Sequence, residues 1–112
     1  MSIGFDEILG RCRVERLVLE TWIERRWVLP ARDGGSYVFS ETDLARVELI
    51  CDLSREMALD DDAMAVVLPL LDQVYGLRAS LRRVADAIGS LPEPARAQLR
   101  AELRKTPRAK RR

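Results

Sequence analysis

Eight apolar residues, Val67, Leu70, Val74, Leu77, Leu81, Val84, Ile88 and Leu91, are separated by gaps of 3, 4, 3, 4, 3, 4 and 3. Alternating steps of three and four keep a stripe on one face of an α-helix, whereas a strand needs a period of two. The mean spacing of 3.5 is that of a coiled-coil seam. It predicts a long helix from about Asp61 to Ile88. Pro69 removes one backbone bond and kinks that helix, unless the first turn of a second helix begins there. Gly76 is a milder interruption. A seam of this length packs either against its own chain or against a second copy. It runs further than one compact domain requires, which predicts a homodimer with Val74, Leu77, Leu81, Val84 and Ile88 as dimerisation residues.

The rest of the chain leaves room for one modest core. A chain of 112 residues buries roughly 65% of its unfolded surface, enough to fold without disulfides or metal. A content of 47% hydrophobic and 33% charged residues is that of a soluble, ordered protein. No apolar run approaches the ~20 residues of a membrane span, and MSIGFDEILG is too acidic and mixed for a signal peptide. A cytoplasmic protein with reduced thiols is expected. Cys12 and Cys51 lie 39 positions apart with no CxxC, which argues against zinc and redox-pair chemistry. Histidine is absent, so the commonest general base and metal ligand are both missing. An enzyme is not expected, nor a cofactor, nor a catalytic or metal-binding residue.

Charge is segregated along the chain. Residues 1–40 carry six basic and six acidic groups, residues 41–72 two basic and nine acidic, and residues 73–112 eleven basic and three acidic. An acidic middle repels nucleic acid and attracts basic protein surfaces; a basic end does the reverse.

Phe5, Ile8, Leu9 and Cys12 predict a first short helix, with Asp6 and Glu7 in its favourable first turn. Leu17, Val18, Trp22 and Ile23, with Leu19 nearby, predict a second that ends near Arg26, because Pro30 disfavours helix at Leu29. Trp27–Pro30 and Ser36–Phe39 flank Ala31-Arg32-Asp33-Gly34-Gly35 and read as a hairpin. A lone hairpin is marginal in water, so Trp22, Trp27, Tyr37 and Phe39 are expected to join it to the helices. Ser40-Glu41-Thr42-Asp43 reads as a capped helix start, close to a capping box. The following helix of about sixteen residues places Leu44, Val47, Cys51, Ser54 and Ala58 on one face, with Ile50, Leu53 and Met57 beside it. Glu41, Glu48, Asp52 and Glu56 form a carboxylate stripe on another face. Like charges four apart destabilise a helix by a few tenths of a kcal/mol per pair. The stripe is therefore either a solvated face or a surface kept for a partner. Asp60 is a plausible cap for the long helix. After Gly89, Leu91-Pro92-Glu93-Pro94 is a hinge, and Ala95–Lys105 a short helix starting at Pro94. The basic end from Thr106 to Arg112 is expected to be disordered. Three regions result: 1–60, a small helix-and-hairpin domain; 61–91, a long dimerising helix; and 92–112, a basic tail.

Two short helices, a two-strand wing, a capped helix and a coiled-coil helix follow the order of a MerR-like winged helix-turn-helix. Trp27-Val28-Leu29-Pro30 through Tyr37-Val38-Phe39-Ser40-Glu41-Thr42-Asp43-Leu44 resembles that superfamily's wing, where a Leu-Pro leads to a Tyr/Trp-x-Phe/Tyr-Ser-x-x-Asp-Leu. Within it, Tyr37-Val38-Phe39, Glu56-Met57-Ala58-Leu59-Asp60, Ala65-Val66, Leu68, Leu70-Leu71-Asp72 and Val74 resemble the CbpM family of chaperone modulators, over roughly residues 5–90. The resemblance implies a mostly α protein, dimeric and non-enzymatic, that needs no cofactor. It implies binding to the J-domain of a CbpA/DnaJ-type co-chaperone, blocking its stimulation of DnaK and weakening its DNA binding. The J-domain helix concerned is basic, which makes Glu48, Asp52, Glu56, Asp60 and Asp72 the candidate partner-binding residues; Glu56, Asp60 and Asp72 match the family's acidic positions. The alternatives are a MerR-type DNA-binding transcription regulator and a bare dimerisation module. In MerR regulators the second helix reads DNA with an Arg-Tyr-Tyr run. Leu19-Glu20-Thr21-Trp22 stands there instead, and Glu15, Glu20 and Glu24 balance Arg16, Arg25 and Arg26. Phosphate contacts dominate DNA affinity, so a neutral helix next to an acidic one is a poor reader.

Overall fold

The computed structural model describes residues 2–105 and is mostly helical, with one small antiparallel sheet. Its elements are β1 (Ile3–Gly4), α1 (Phe5–Cys12), α2 (Arg16–Glu24), β2 (Ala31–Asp33), β3 (Ser36–Phe39), α3 (Glu41–Arg55), α4 (Asp61–Gly89) and α5 (Glu93–Lys105). This is the winged helix-turn-helix arrangement with a long helix after it. The chain forms two compact units, one through Leu70 and one from Leu71.

The wing is tighter than its sequence suggests. Gly34 and Gly35 both have positive φ, 60° and 83°, the pattern of a two-residue type I′ turn that only glycine adopts without strain. That turn sets the register at Asp33↔Ser36, Arg32↔Tyr37 and Ala31↔Val38. Continuing it would set Pro30 opposite Phe39, and proline has no N–H to donate. The first wing strand is therefore Ala31–Asp33, not Trp27–Pro30. A third strand, unforeseen, pairs Ile3↔Phe39 and Gly4↔Val38, so β3 is central in the order β1-β3-β2.

The core of the first unit lies between this sheet and the helices. Phe39, Ile8, Leu19, Val47 and Ile50 are fully buried, joined by Ile3, Val28, Met64 and Leu68. Burying each such side chain contributes about 1.5–3 kcal/mol relative to exposure. Phe5 stacks on Tyr37 at 6.1 Å and tilts against Phe39 at 6.2 Å, fastening α1 to the wing. Trp22 is buried and Trp27 half-buried. The second helix presents a different face from the one its pattern suggests. Leu19 and Trp22, three apart, point inward, while Leu17 is 75% exposed and Val18 is exposed as well. A nine-residue helix rich in apolar side chains leaves its rotational phase to tertiary packing.

α3 begins with a complete capping box. The Asp43 N–H donates to Ser40 Oγ at 3.1 Å and the Ser40 N–H to Asp43 Oδ2 at 2.9 Å, satisfying two orphan donors of the first turn. Val47, Ile50, Cys51 and Leu53 are buried, Leu44 half-buried. Ser54, Met57 and Ala58, expected on or beside this face, are exposed; Met57 and Ala58 lie beyond the helix, which stops at Arg55, and Ala58 turns to φ 54°. The Leu59 N–H then reaches back to the Leu53 carbonyl at 3.0 Å. Non-glycine residues with positive φ, Arg13, Arg26 and Ala58, follow the ends of α1, α2 and α3.

α4 is one helix from Asp61 to Gly89 with Pro69 inside it. Met64 and Leu68 bury into the first unit. In the second unit, Glu93 at the start of α5 holds both Arg96 and Arg100, and α5 has no buried residue. The expected disorder of Thr106–Arg112 lies outside the described residues.

Candidate partner-binding surface

Glu48, Asp52 and Glu56 follow one another at steps of four along the exposed side of α3 and its C-cap. Their phase is forced by Val47, Ile50 and Cys51, which face the core. Asp60, also exposed, caps α4: its Oδ1 accepts from the Ala63 N–H at 2.8 Å. Asp61 and Asp62 fill the first turn of α4, where the helix dipole favours carboxylates. The α3–α4 turn is thus a dense anionic corner. Met57, 66% exposed, stands between Glu56 and Asp60 in the chain, an apolar contact point that the pattern of α3 assigned to a helix flank. Asp72 lies on the part of α4 that belongs to the second unit, and it is exposed.

Arg55 and Arg11 border the α3 part of this surface, and Arg25 reaches its corner at Asp61, without neutralising it fully. Arg55 donates to the Cys12 carbonyl at 3.0 Å and to the Arg13 carbonyl. Its guanidinium thus closes the end of α1. Arg11, ion-paired with Glu7 at 3.5 Å, and Arg55 line an open cleft of about 180 Å³ with Glu48, Asp52, Cys12 and Cys51. Both thiols are free and buried, and the Cys51 thiol points at the Cys12 carbonyl, 3.9 Å away. Burial pushes both thiols above the usual value of 9.0; for Cys12 the neighbouring Cys51 and Glu48 add to the effect, and for Cys51 the carboxylates of Asp52 and Glu48 do so against Arg55. These are small packed side chains rather than thiolate nucleophiles.

Two of the cations nearest the second helix, Arg16 and Arg25, are similarly occupied. Arg16 pairs with Asp6 at 2.7 Å and lies 4.8 Å over the Phe5 ring. Arg25 pairs with Asp61 at 3.5 Å and lies 5.3 Å over the Trp27 ring. In the wing, Arg32 covers Tyr37 at 4.6 Å and donates to its hydroxyl at 2.8 Å. A DNA reader needs these guanidinium groups aimed outward at phosphates; here they lie along the protein's own rings and carboxylates.

Among the dimerisation candidates, Val74, Leu77, Leu81 and Val84 are exposed and Ile88 is half-buried. Leu70 upstream is exposed too. No helix among the described residues is long and apolar enough to cross a membrane.

No curated protein and no solved structure matches the chain. Residues 3–85, from the first strand through most of the long helix, match the family described as MerR HTH family regulatory protein. That span covers the two short helices, the wing, the capped helix and the seam as far as Val84, and the chain belongs to the MerR helix-turn-helix family of regulatory proteins.

Proposed function

We propose that this chain is a chaperone modulator of the CbpM type: a cytoplasmic homodimer, not an enzyme, that grips the basic helix of a J-domain in a CbpA/DnaJ-type co-chaperone. In gripping it, the chain blocks stimulation of DnaK and weakens the co-chaperone's own DNA binding. The observation that carries this reading is the anionic surface of Glu48, Asp52, Glu56 and Asp60 on a DNA-reader's scaffold. Asp72, on the α4 segment of the second unit, is a further acidic candidate. Complementary charge mainly raises the association rate and selects the partner, while buried apolar anchors hold the complex together; exposed Met57 supplies one such anchor beside the carboxylates. The seam through Val74, Leu77, Leu81, Val84 and Ile88 joins the two copies.

The direct test is DnaK ATP hydrolysis stimulated by a CbpA-type J-domain, measured with increasing amounts of the chain. Loss of stimulation, with binding that weakens as salt rises, supports the reading. An unaffected ATPase together with a sequence-specific band against genomic DNA fragments overturns it in favour of a transcription regulator.

A further inference from the structure

On α2 the outward stripe is Leu17, Glu20, Thr21 and Glu24, spaced so that all four share the side opposite buried Leu19 and Trp22. Leu17 is the most exposed large apolar residue of the described chain, at 75%, and Val18 flanks it. The Thr21 hydroxyl is turned inward onto the Leu17 carbonyl at 2.8 Å, so the stripe offers one apolar knob and two carboxylates, with no donor for a base edge. Glu15 precedes the helix as its N-cap residue. Of the adjacent cations, Arg16 and Arg25 are held by Asp6 and Asp61, while exposed Arg26 lies beyond the helix end. The second helix of this fold thus presents the opposite of a DNA-reading surface, apolar at its centre and acidic around it.

The segments that flank α2 are tied to α3 and α4. Arg55, the last residue of α3, donates to the Arg13 carbonyl just before α2 begins. Asp61, the first residue of α4, pairs with Arg25 just after α2 ends. The acidic segment from Glu56 to Asp60 lies between those two tethers in sequence.

We infer that the exposed face of α2 is a protein-docking face, with Leu17 as its anchor and Glu20 and Glu24 as its rim, for a cationic amphipathic helix of the partner. This rests on the reading that the partner is a basic J-domain, and it assigns the affinity of that complex to a helix outside the α3 stripe. A basic helix laid on α2 sets its apolar positions over Leu17 and Val18 and its lysines or arginines beside Glu20 and Glu24. Anchors of this kind govern dissociation, and rim charges govern association.

The test measures binding of a CbpA-type J-domain by surface plasmon resonance to the full-length chain and to two variants, Leu17→Ala and Glu20→Lys with Glu24→Lys. Far-ultraviolet circular dichroism and melting temperature confirm that these exposed substitutions leave the fold intact. Leu17→Ala is expected to bind roughly tenfold more weakly through faster dissociation, and the double charge reversal to associate more slowly with a flattened salt dependence. A wild-type chain that binds while both variants bind identically to it overturns the inference and leaves the J-domain reading standing. A wild-type chain that binds no J-domain overturns both, as does a DNA footprint abolished by Leu17→Ala.

Discussion

Removing two leucines from the seam measures what that seam is for. In the single chain Leu77 is 65% exposed and Leu81 68% exposed. Full burial of a leucine side chain contributes about 1.5–3 kcal/mol, so at two-thirds exposure about 1–2 kcal/mol per side chain remains to be gained. A twofold interface repeats every contact, so Leu77→Ala with Leu81→Ala removes four such side chains from a dimer. The loss is about 4–8 kcal/mol on transfer alone. Its lower bound weakens dimerisation about a thousandfold. The core of the first unit, built around Phe39, Ile8 and Leu19, does not include these residues, so helicity per chain should persist. Sedimentation velocity at tens of micromolar should show wild type as a dimer and the variant as a monomer. A monomeric wild type, or a variant that sediments with an unchanged dimer, would falsify the assignment of this face to self-association.

Other outcomes follow from single contacts. Ser40→Ala deletes half of the capping box and should cost about 1 kcal/mol, seen as a fall in Tm of about 4–8 °C in calorimetry. At Asp60, substitution by asparagine keeps an acceptor for the Ala63 N–H while removing charge: Asp60→Asn should preserve stability and slow J-domain association, whereas Asp60→Ala should lose about 1 kcal/mol of stability as well. Glu56→Lys should slow association without altering the melt, and an association rate unaffected by both charge changes counts against the anionic corner. The thiols of Cys12 and Cys51, raised by burial, stay protonated in the folded chain at a pH where the unfolded chain already ionises them. Their contribution is full below about pH 9, the unfolded value, and declines as pH rises through the folded values. Stability in urea should therefore fall with pH in the alkaline range for wild type and fall less for Cys12→Ser with Cys51→Ser.

Much of the fold is written locally. The Ser40/Asp43 box, the Asp60 cap and the Gly34-Gly35 turn each place a residue type where one backbone geometry demands it, and each is found there. The seam likewise predicts a long helix, while the choice between one helix and two at Pro69 was settled only by the structure, in favour of one. What stayed hidden depends on distant partners. β1 is two residues long and exists only because β3 offers it an edge. The phase of α2 is decided by what Leu19 and Trp22 pack against, and no count of apolar spacings separates Leu19 from Leu17. Helices closed by Arg13, Arg26 and Ala58 in the left-handed region carry no glycine signal. Of the candidate surface, the α3 stripe was legible from its spacing. The structural duty of Asp60 was legible too, while the exposure of Met57 and Leu17 required the packed structure.

Arg55 ties several of these features to one guanidinium. It sits in the last turn of α3, where a cation complements the helix dipole, and it satisfies carbonyls left open where α1 stops. Deepening the negative potential of the corner by discarding this arginine is closed off, because the junction of α1 and α3 would loosen first. Any tuning of that charge is left to the carboxylates, with this one basic position held by the architecture.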